Sequence, residues 1–232
     1  MDFLLNSIIK ALKLITSIDP ELIGIVILSL KVSGLAIIMA TAISIMSTLI
    51  LDYRDFTGKS FVITLINTFM GLPPVVAGLV IYLILSRSGP FGFLHLLYTP
   101  AAMVIAQVIL AVPIITGLSY AAVVSADSSI RFTALTLGAT PLQASLKIIR
   151  NSRYSILAAV LAGLGRVMAE VGAVLIVGGN IAGYTRVMTT AIALEADKGD
   201  FELAVALGII LLAISFTVNG ALFWLQKKDK TK

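Results

Sequence analysis

Apolar runs long enough to cross a membrane as helices alternate with short polar stretches along this chain. Spanning a bilayer takes about 20 mostly apolar residues, because lipid offers no partners for unpaired backbone groups. Residues 22–51, 61–85, 101–124, 155–181 and 203–225 qualify, and the first is long enough to tilt or protrude. Residues 1–18 follow another pattern. Asp2, Asn6, Lys10, Lys13 and Ser17 recur opposite Leu5, Ile8, Leu12 and Ile15, which predicts an amphipathic helix. Such a helix lies in the interface or packs on its own bundle. A secretion signal is not expected, since a basic leading segment and a clear small-residue cleavage site are lacking. At "SIDPE", Asp19 can cap a new helix, with Pro20 at its first position and Glu21 facing its positive end.

Composition strengthens this picture. The chain has 59% hydrophobic and 12% charged residues, with a mean hydropathy of +1.05. A soluble domain usually carries roughly 25% charged residues, so this one could not cover its surface with polar groups. The expected fold is all-α: a polytopic bundle of five spans, an amphipathic amino-terminal helix and a cytoplasmic helix pair, forming one domain over residues 1–232. Orientation follows from basic residues in the loops. Arg54, Lys59, Arg131, Lys147, Arg150, Arg153, Lys227, Lys228, Lys230 and Lys232 lie on one side. Lys10, Lys13, Arg87, Arg186 and Lys198 lie on the other, which includes residues 182–202 read as an outer loop. This distribution predicts a multi-pass protein of the cell membrane with a cytoplasmic carboxyl terminus.

Catalytic chemistry is not expected. "YRDFTGKS" ends like a phosphate-binding loop, but the first glycine of that motif would fall at Tyr53. With His95 as the only histidine and no cysteine, no zinc cluster can be assembled from such ligands. Nor is there a nucleophile, base and orienter at readable spacing. A secondary transporter would show inverted repeats and paired broken helices, and the five unequal runs show no such symmetry.

The informative polar segment is residues 127–151, within "ADSSIRFTALTLGATPLQASLKIIRNSRY". Asp127 can cap a helix running to Leu137, and Gly138 can stop it in the left-handed conformation. Thr140, Pro141, Leu142 and Gln143 restart a helix with a capping box and a proline at its first position. The apolar Ala134, Leu137, Ala139 and Leu142 would bury poorly without a partner. A helix-Gly-helix knob of this kind either docks another protein or packs on the ends of its own spans.

Polar residues inside apolar runs need partners, water or a task, since a charge at mid-depth costs at least ~2.5 kcal/mol. Lys31, Asn67, Arg166 and Glu170 are such residues. Within a continuous helix over 155–181, Arg166 and Glu170 would share one face. Glu170 would then satisfy Arg166 or Lys31 and tie helices together; alternatively, one cation faces a pathway and eases the passage of an anion. Pro73 and Pro74 in "GLPPVVAG" bend the second run, as a fixed kink or a hinge. Close helix packing is the expected reason for Gly172. Gly178 and Gly179 offer a break at the end of the fourth run, where Asn180 could donate to an anion.

"TALTLGATPLQASLKII" resembles the coupling motif in the membrane subunits of ABC importers, whose pattern is E-A-A, three residues, then glycine. Ala134, Leu137, Gly138, Ala139, Pro141 and Ile148 match, while Phe132 stands at the first Glu and Arg150-Asn151 at the closing Leu-Pro. "LSLKVSG", "GLPPVVAGLVIYLILSRSGPFG", "GRVMAEVGAVLIVGGNI" and "RVMTTAIALEADKGDFELAVALG" resemble permeases for tetrahedral oxyanions, nearest to those for tungstate, ahead of molybdate and sulfate. The resemblance implies a pathway formed with a second copy of the chain. It also implies a cytoplasmic ATPase gripping residues 134, 137–143, an extracytoplasmic oxyanion-binding protein, no nucleic acid, and ATP and Mg held by the ATPase rather than by this chain.

Overall fold

The structure is a computed structural model that describes residues 2–17 and 19–229. Met1, Ile18 and residues 230–232, among them Lys230 and Lys232 of the predicted cytoplasmic tail, lie outside the described residues. Among the described residues the regular elements are all helices: α1 (Asp2–Thr16), α2 (Pro20–Tyr53), α3 (Lys59–Met70), α4 (Pro74–Leu85), α5 (Pro100–Val124), α6 (Ser128–Thr136), α7 (Pro141–Asn151), α8 (Arg153–Met168), α9 (Gly172–Gly178), α10 (Met188–Lys198) and α11 (Phe201–Asp229). A 3-10 turn, Gly92–Leu94, precedes α5.

Three of the expected spans are single helices: α2, α5 and α11 are long and apolar enough to cross a membrane. The other two are bent pairs, which bring the number of spans to five if each pair counts as one. The second run breaks at Gly71, Leu72 and Pro73 rather than kinking within one helix. Gly71 closes α3 and Pro74 opens α4, where its missing N–H costs nothing. The fourth run breaks between Met168 and Gly172, which corrects the expectation of a continuous helix over 155–181. Residues 182–202 are likewise not a plain loop, since α10 occupies most of them.

Contacts divide the chain into two compact units. One comprises Met1–Gly34, Pro74–Ala106 and Met168–Lys232. Its core gathers Ala11, Leu22, Ile25, Met188, Ala191, Ala206 and Leu207. Here α1 packs on α11, burying Ala11 completely while Ile8, Ile9 and Leu12 stay exposed. The amino-terminal helix packs one face on α11, and Lys10 pairs with Glu202 at this contact. Asp19 caps α2 as expected, its Oδ1 accepting from the Glu21 and Leu22 N–H groups at 3.0 Å each. In the same unit α4 and α9 pack closely enough that a Cβ on Gly78 would sit 2.7 Å from the Ala173 Cα. Small residues permit such an approach, and membrane helices gain their association from it.

The other unit comprises Leu35–Pro73 and Gln107–Val167. The Ser44 hydroxyl donates to the Val112 carbonyl at 3.2 Å, fastening the second half of α2 to α5. Gly163 of α8 faces Ile115 so closely that a Cβ would fall 2.6 Å from its Cγ1. Val123, Ile148 and Ile156 form a small core under the helix pair α6 and α7.

Candidate functional site

The α6/α7 hairpin is built from local signals. The Asp127 carboxylate accepts from the Ser129 N–H at 2.8 Å, and this bond holds its pKa below the usual carboxylate range. Gly138 adopts φ +86°. Around it the Gly138 N–H donates to the Leu135 carbonyl and the Ala139 N–H to the Ala134 carbonyl, both at 3.0 Å. This paired closure of a helix end requires a left-handed residue, which glycine supplies without strain. The predicted capping box is present: the Gln143 N–H donates to the Thr140 hydroxyl and the Thr140 N–H to the Gln143 side chain.

Packing gives the hairpin an inside and an outside. Ala144, Ser145 and Ile148 of α7 are buried. On the outside, Leu137 is 82% and Phe132 74% exposed, with Leu135, Leu142 and Leu146 also open. A groove of about 500 Å³ runs between the helices, lined by Ile130, Thr133, Ala134, Leu137, Gln143 and Lys147 among others. Large apolar side chains presented on a polar turn mark a contact surface. What keeps the knob in place is an ion pair between residues far apart in sequence. Arg131 of α6 donates through Nη2 to both Asp52 oxygens, at 2.6 and 2.7 Å, at the end of α2.

The interrupted fourth run assigns Glu170 a different partner from the one its spacing suggested. Glu170 is 3% exposed, and its Oε1 accepts from the Ala173 N–H at 2.9 Å, capping the start of α9. Its backbone carbonyl accepts from the Thr189 hydroxyl at 2.7 Å. Because α8 ends at Met168, Arg166 and Glu170 do not share one helical face, which corrects the expected i, i+4 pair. Among the described residues Arg166 and Lys31 form no ion pair. Arg166 is half-buried, and Lys31 and Asn67 are exposed on helices of the expected spans.

Gly172, Gly178 and Gly179 are all close-approach positions, as expected for Gly172. A Cβ would fall 2.9 Å from Val75 Cγ2 at Gly172, 2.9 Å from Met103 Cγ at Gly178 and 2.8 Å from the Tyr98 ring at Gly179. Gly179 closes α9 at φ +71° and Asn180 follows at φ +51°. The Asn180 amide donates to the Thr190 carbonyl at 3.3 Å. Beyond the predicted residues, Arg186 lies 3.5 Å from Glu21 and 3.8 Å from the buried Glu195, which Lys198 also meets at 3.0 Å. The Lys198–Glu195 pair follows i, i+3 helix spacing, whereas the Arg186–Glu21 pair, like Asp52 and Arg131, is too distant in sequence for spacing to reveal.

Apolar helices long enough to cross a membrane, two of the spans broken, together with an exposed helix-Gly-helix knob, define a multi-pass membrane protein. Residues 34–230 match the binding-protein-dependent transport system inner membrane components, and the chain belongs to that family. It is 46% identical over 217 residues to a probable anion ABC transporter permease protein of Haloferax volcanii, covering 90% of this chain and 92% of that protein. It is 40% identical over 228 residues to the tungstate uptake system permease protein TupB of Peptoclostridium acidaminophilum, covering 98% and 100%. Its fold is similar to a chain of the bacterial alginate ABC transporter solved with an alginate pentasaccharide-bound periplasmic protein. That match has a TM-score of 0.70 at 17% identity, covering 88% of this chain and 77% of the other.

Proposed function

We propose that this chain is the pathway-forming subunit of an ATP-driven importer for a tetrahedral oxyanion, tungstate foremost. Two copies enclose the pathway, an extracytoplasmic binding protein delivers the ion, and a separate ATPase, which holds ATP and Mg, seats the α6/α7 hairpin. The exposure of Leu137 and Phe132 on a knob anchored through Arg131 and Asp52 carries this reading. Burying a leucine or phenylalanine in a partner's cleft is worth about 1.5–3 kcal/mol. The stiff anchor lets a push on the knob reach α2, as rigid-body rocking between inward- and outward-open states requires. At Phe132 the contact is apolar, where the family motif would place an ionic Glu.

In this arrangement the tail faces the cytoplasm, in line with the basic residues of the loops. Arg166 and Lys31, lacking acidic partners among the described residues, lower the electrostatic barrier for a dianion; Asn67 and Asn180 add polar surface. Such contacts stay weak, because an ion must leave as readily as it enters. Pro73, Pro74, Gly178 and Gly179 mark the ends of half-helices where the pathway can change shape.

The test is uptake by vesicles containing the chain, its ATPase and its binding protein. ATP-dependent tungstate uptake is expected, and Gly138→Val should abolish it together with ATPase assembly. Uptake independent of ATP would point to a secondary transporter and end this proposal. Preference for molybdate or sulfate over tungstate would move the assignment within the oxyanion group.

A further inference from the structure

The turn between α4 and α5 carries one positive charge, Arg87, that the hairpin and the broken span leave unused. From Phe56 to Ala126 the chain contains no Asp or Glu. Within the same unit Lys10, Arg186 and Lys198 are paired with carboxylates, whereas Arg87 has none among the described residues. His95, the only histidine, lies eight positions further on. The one other ionisable side chain of the turn, Tyr98, is occupied: a hydrogen bond with Tyr82 raises its pKa, and the two rings meet edge to face at 6.3 Å.

This turn is tightly wound. A Cβ on Gly89 would fall 2.2 Å from the Leu83 carbonyl oxygen, and one on Gly92 2.3 Å from that of Ser86. The Phe91 N–H donates back to the Ile84 carbonyl at 3.0 Å, and the Tyr98 N–H to the Val177 carbonyl at 2.9 Å. His95 and Tyr98 take left-handed conformations, φ 50° and 62°, which non-glycine residues hold only where surrounding structure imposes them. The result is an open cavity of about 370 Å³ whose wall is Leu85, Arg87, Gly92, His95 and Leu97.

We propose that this cavity is an anion site that takes one tetrahedral dianion, with the Arg87 guanidinium and the His95 ring as its donors. It rests on the transport reading above, in which this turn faces the side from which the oxyanion arrives. A guanidinium fork matches paired oxyanion oxygens, and imidazole adds an N–H donor in either protonation state. The Arg87 guanidinium forms no ion pair among the described residues, so its field reaches the cavity without a paired carboxylate to neutralise it. Open and shallow, the site gathers ions without trapping them.

A single histidine allows a direct test. The full chain, labelled in histidine and placed in lipid nanodiscs, is titrated by NMR with saturating tungstate or with chloride at equal ionic strength. A dianion beside the ring favours its protonated form, so tungstate should raise the His95 midpoint by ~0.5 pH unit, equivalent to about threefold tighter binding to that form. Arg87→Gln should remove most of this rise while ATPase assembly through α6 and α7 is unchanged. Should Arg87→Gln not fold, Arg87→Lys keeps the charge and should reduce the rise.

Identical midpoints in tungstate and chloride would overturn the site. So would a midpoint that moves on adding the binding protein whether or not tungstate is present, which would make the turn a protein contact. Loss of the transport reading shows elsewhere, as absent ATP-driven uptake by the wild-type complex, and leaves the His95 titration readable.

Discussion

Cutting the ion pair that anchors the coupling hairpin should cost very different amounts from its two sides. The Asp52 side chain is 6% exposed, whereas that of Arg131 is 36% exposed. Arg131→Met keeps the aliphatic stem but strands a buried carboxylate, and an uncompensated buried charge costs roughly 3 kcal/mol. Asp52→Asn strands a guanidinium that still reaches water and an amide oxygen, so about 1 kcal/mol is expected, in the range of exposed pairs. For a chain of this size each kcal/mol moves the thermal midpoint by about 2–4 °C, so losses of ~6–12 °C and ~2–4 °C are predicted. The double variant Asp52→Asn, Arg131→Met should recover part of the larger loss, because no charge is left stranded. Circular dichroism melts of the four proteins in nanodiscs would measure this, with transport-linked hydrolysis in vesicles reporting on the anchor. A melt in which Asp52→Asn falls as far as Arg131→Met, or in which the double variant is the least stable, would refute the assignment of burial and charge.

Gly78→Ala should lower the melting midpoint, since its Cβ would meet the Ala173 backbone at 2.7 Å and neither helix can yield cheaply. Gly24→Ala, with open space around its Cβ, should be neutral or stabilising by ~0.4–1 kcal/mol; equal effects would refute the close packing of α4 and α9. Glu170→Ala should cost about 1 kcal/mol by uncapping α9, with Glu170→Gln milder, and a double-mutant cycle with Arg166→Gln should be additive within ~0.5 kcal/mol. A larger coupling would restore the ion pair that the helix break removes. Asp127 has a lowered pKa, so the stability it lends α6 is fully present above its unfolded pKa of about 3.9 and is lost as the pH falls through the lower folded value. Hydrogen exchange at the Ser129 amide should therefore lose protection only below pH ~4, and a protection profile unchanged by Asp127→Ala would exclude the cap.

Sequence alone determined whatever depends on neighbours within a turn or two. The apolar runs, the Asp19 cap, and the Asp127, Gly138 and Thr140 punctuation of the hairpin all appear where expected, because their hydrogen bonds close over two to five residues. Family membership was legible for the same reason, carried by that hairpin and by contiguous motifs. Tertiary structure decided the rest. No strong breaker separates Met168 from Gly172, yet the helix stops there, with Glu170 on the Ala173 N–H, Thr189 on the Glu170 carbonyl and Gly172 against Val75. Arg131 finds Asp52 across 79 positions, and α1 finds α11 at the far end of the chain. An apolar run offers many nearly equivalent faces to lipid and to protein. Which face is buried, and which charge meets which, depends on distant helices whose small residues allow them to approach.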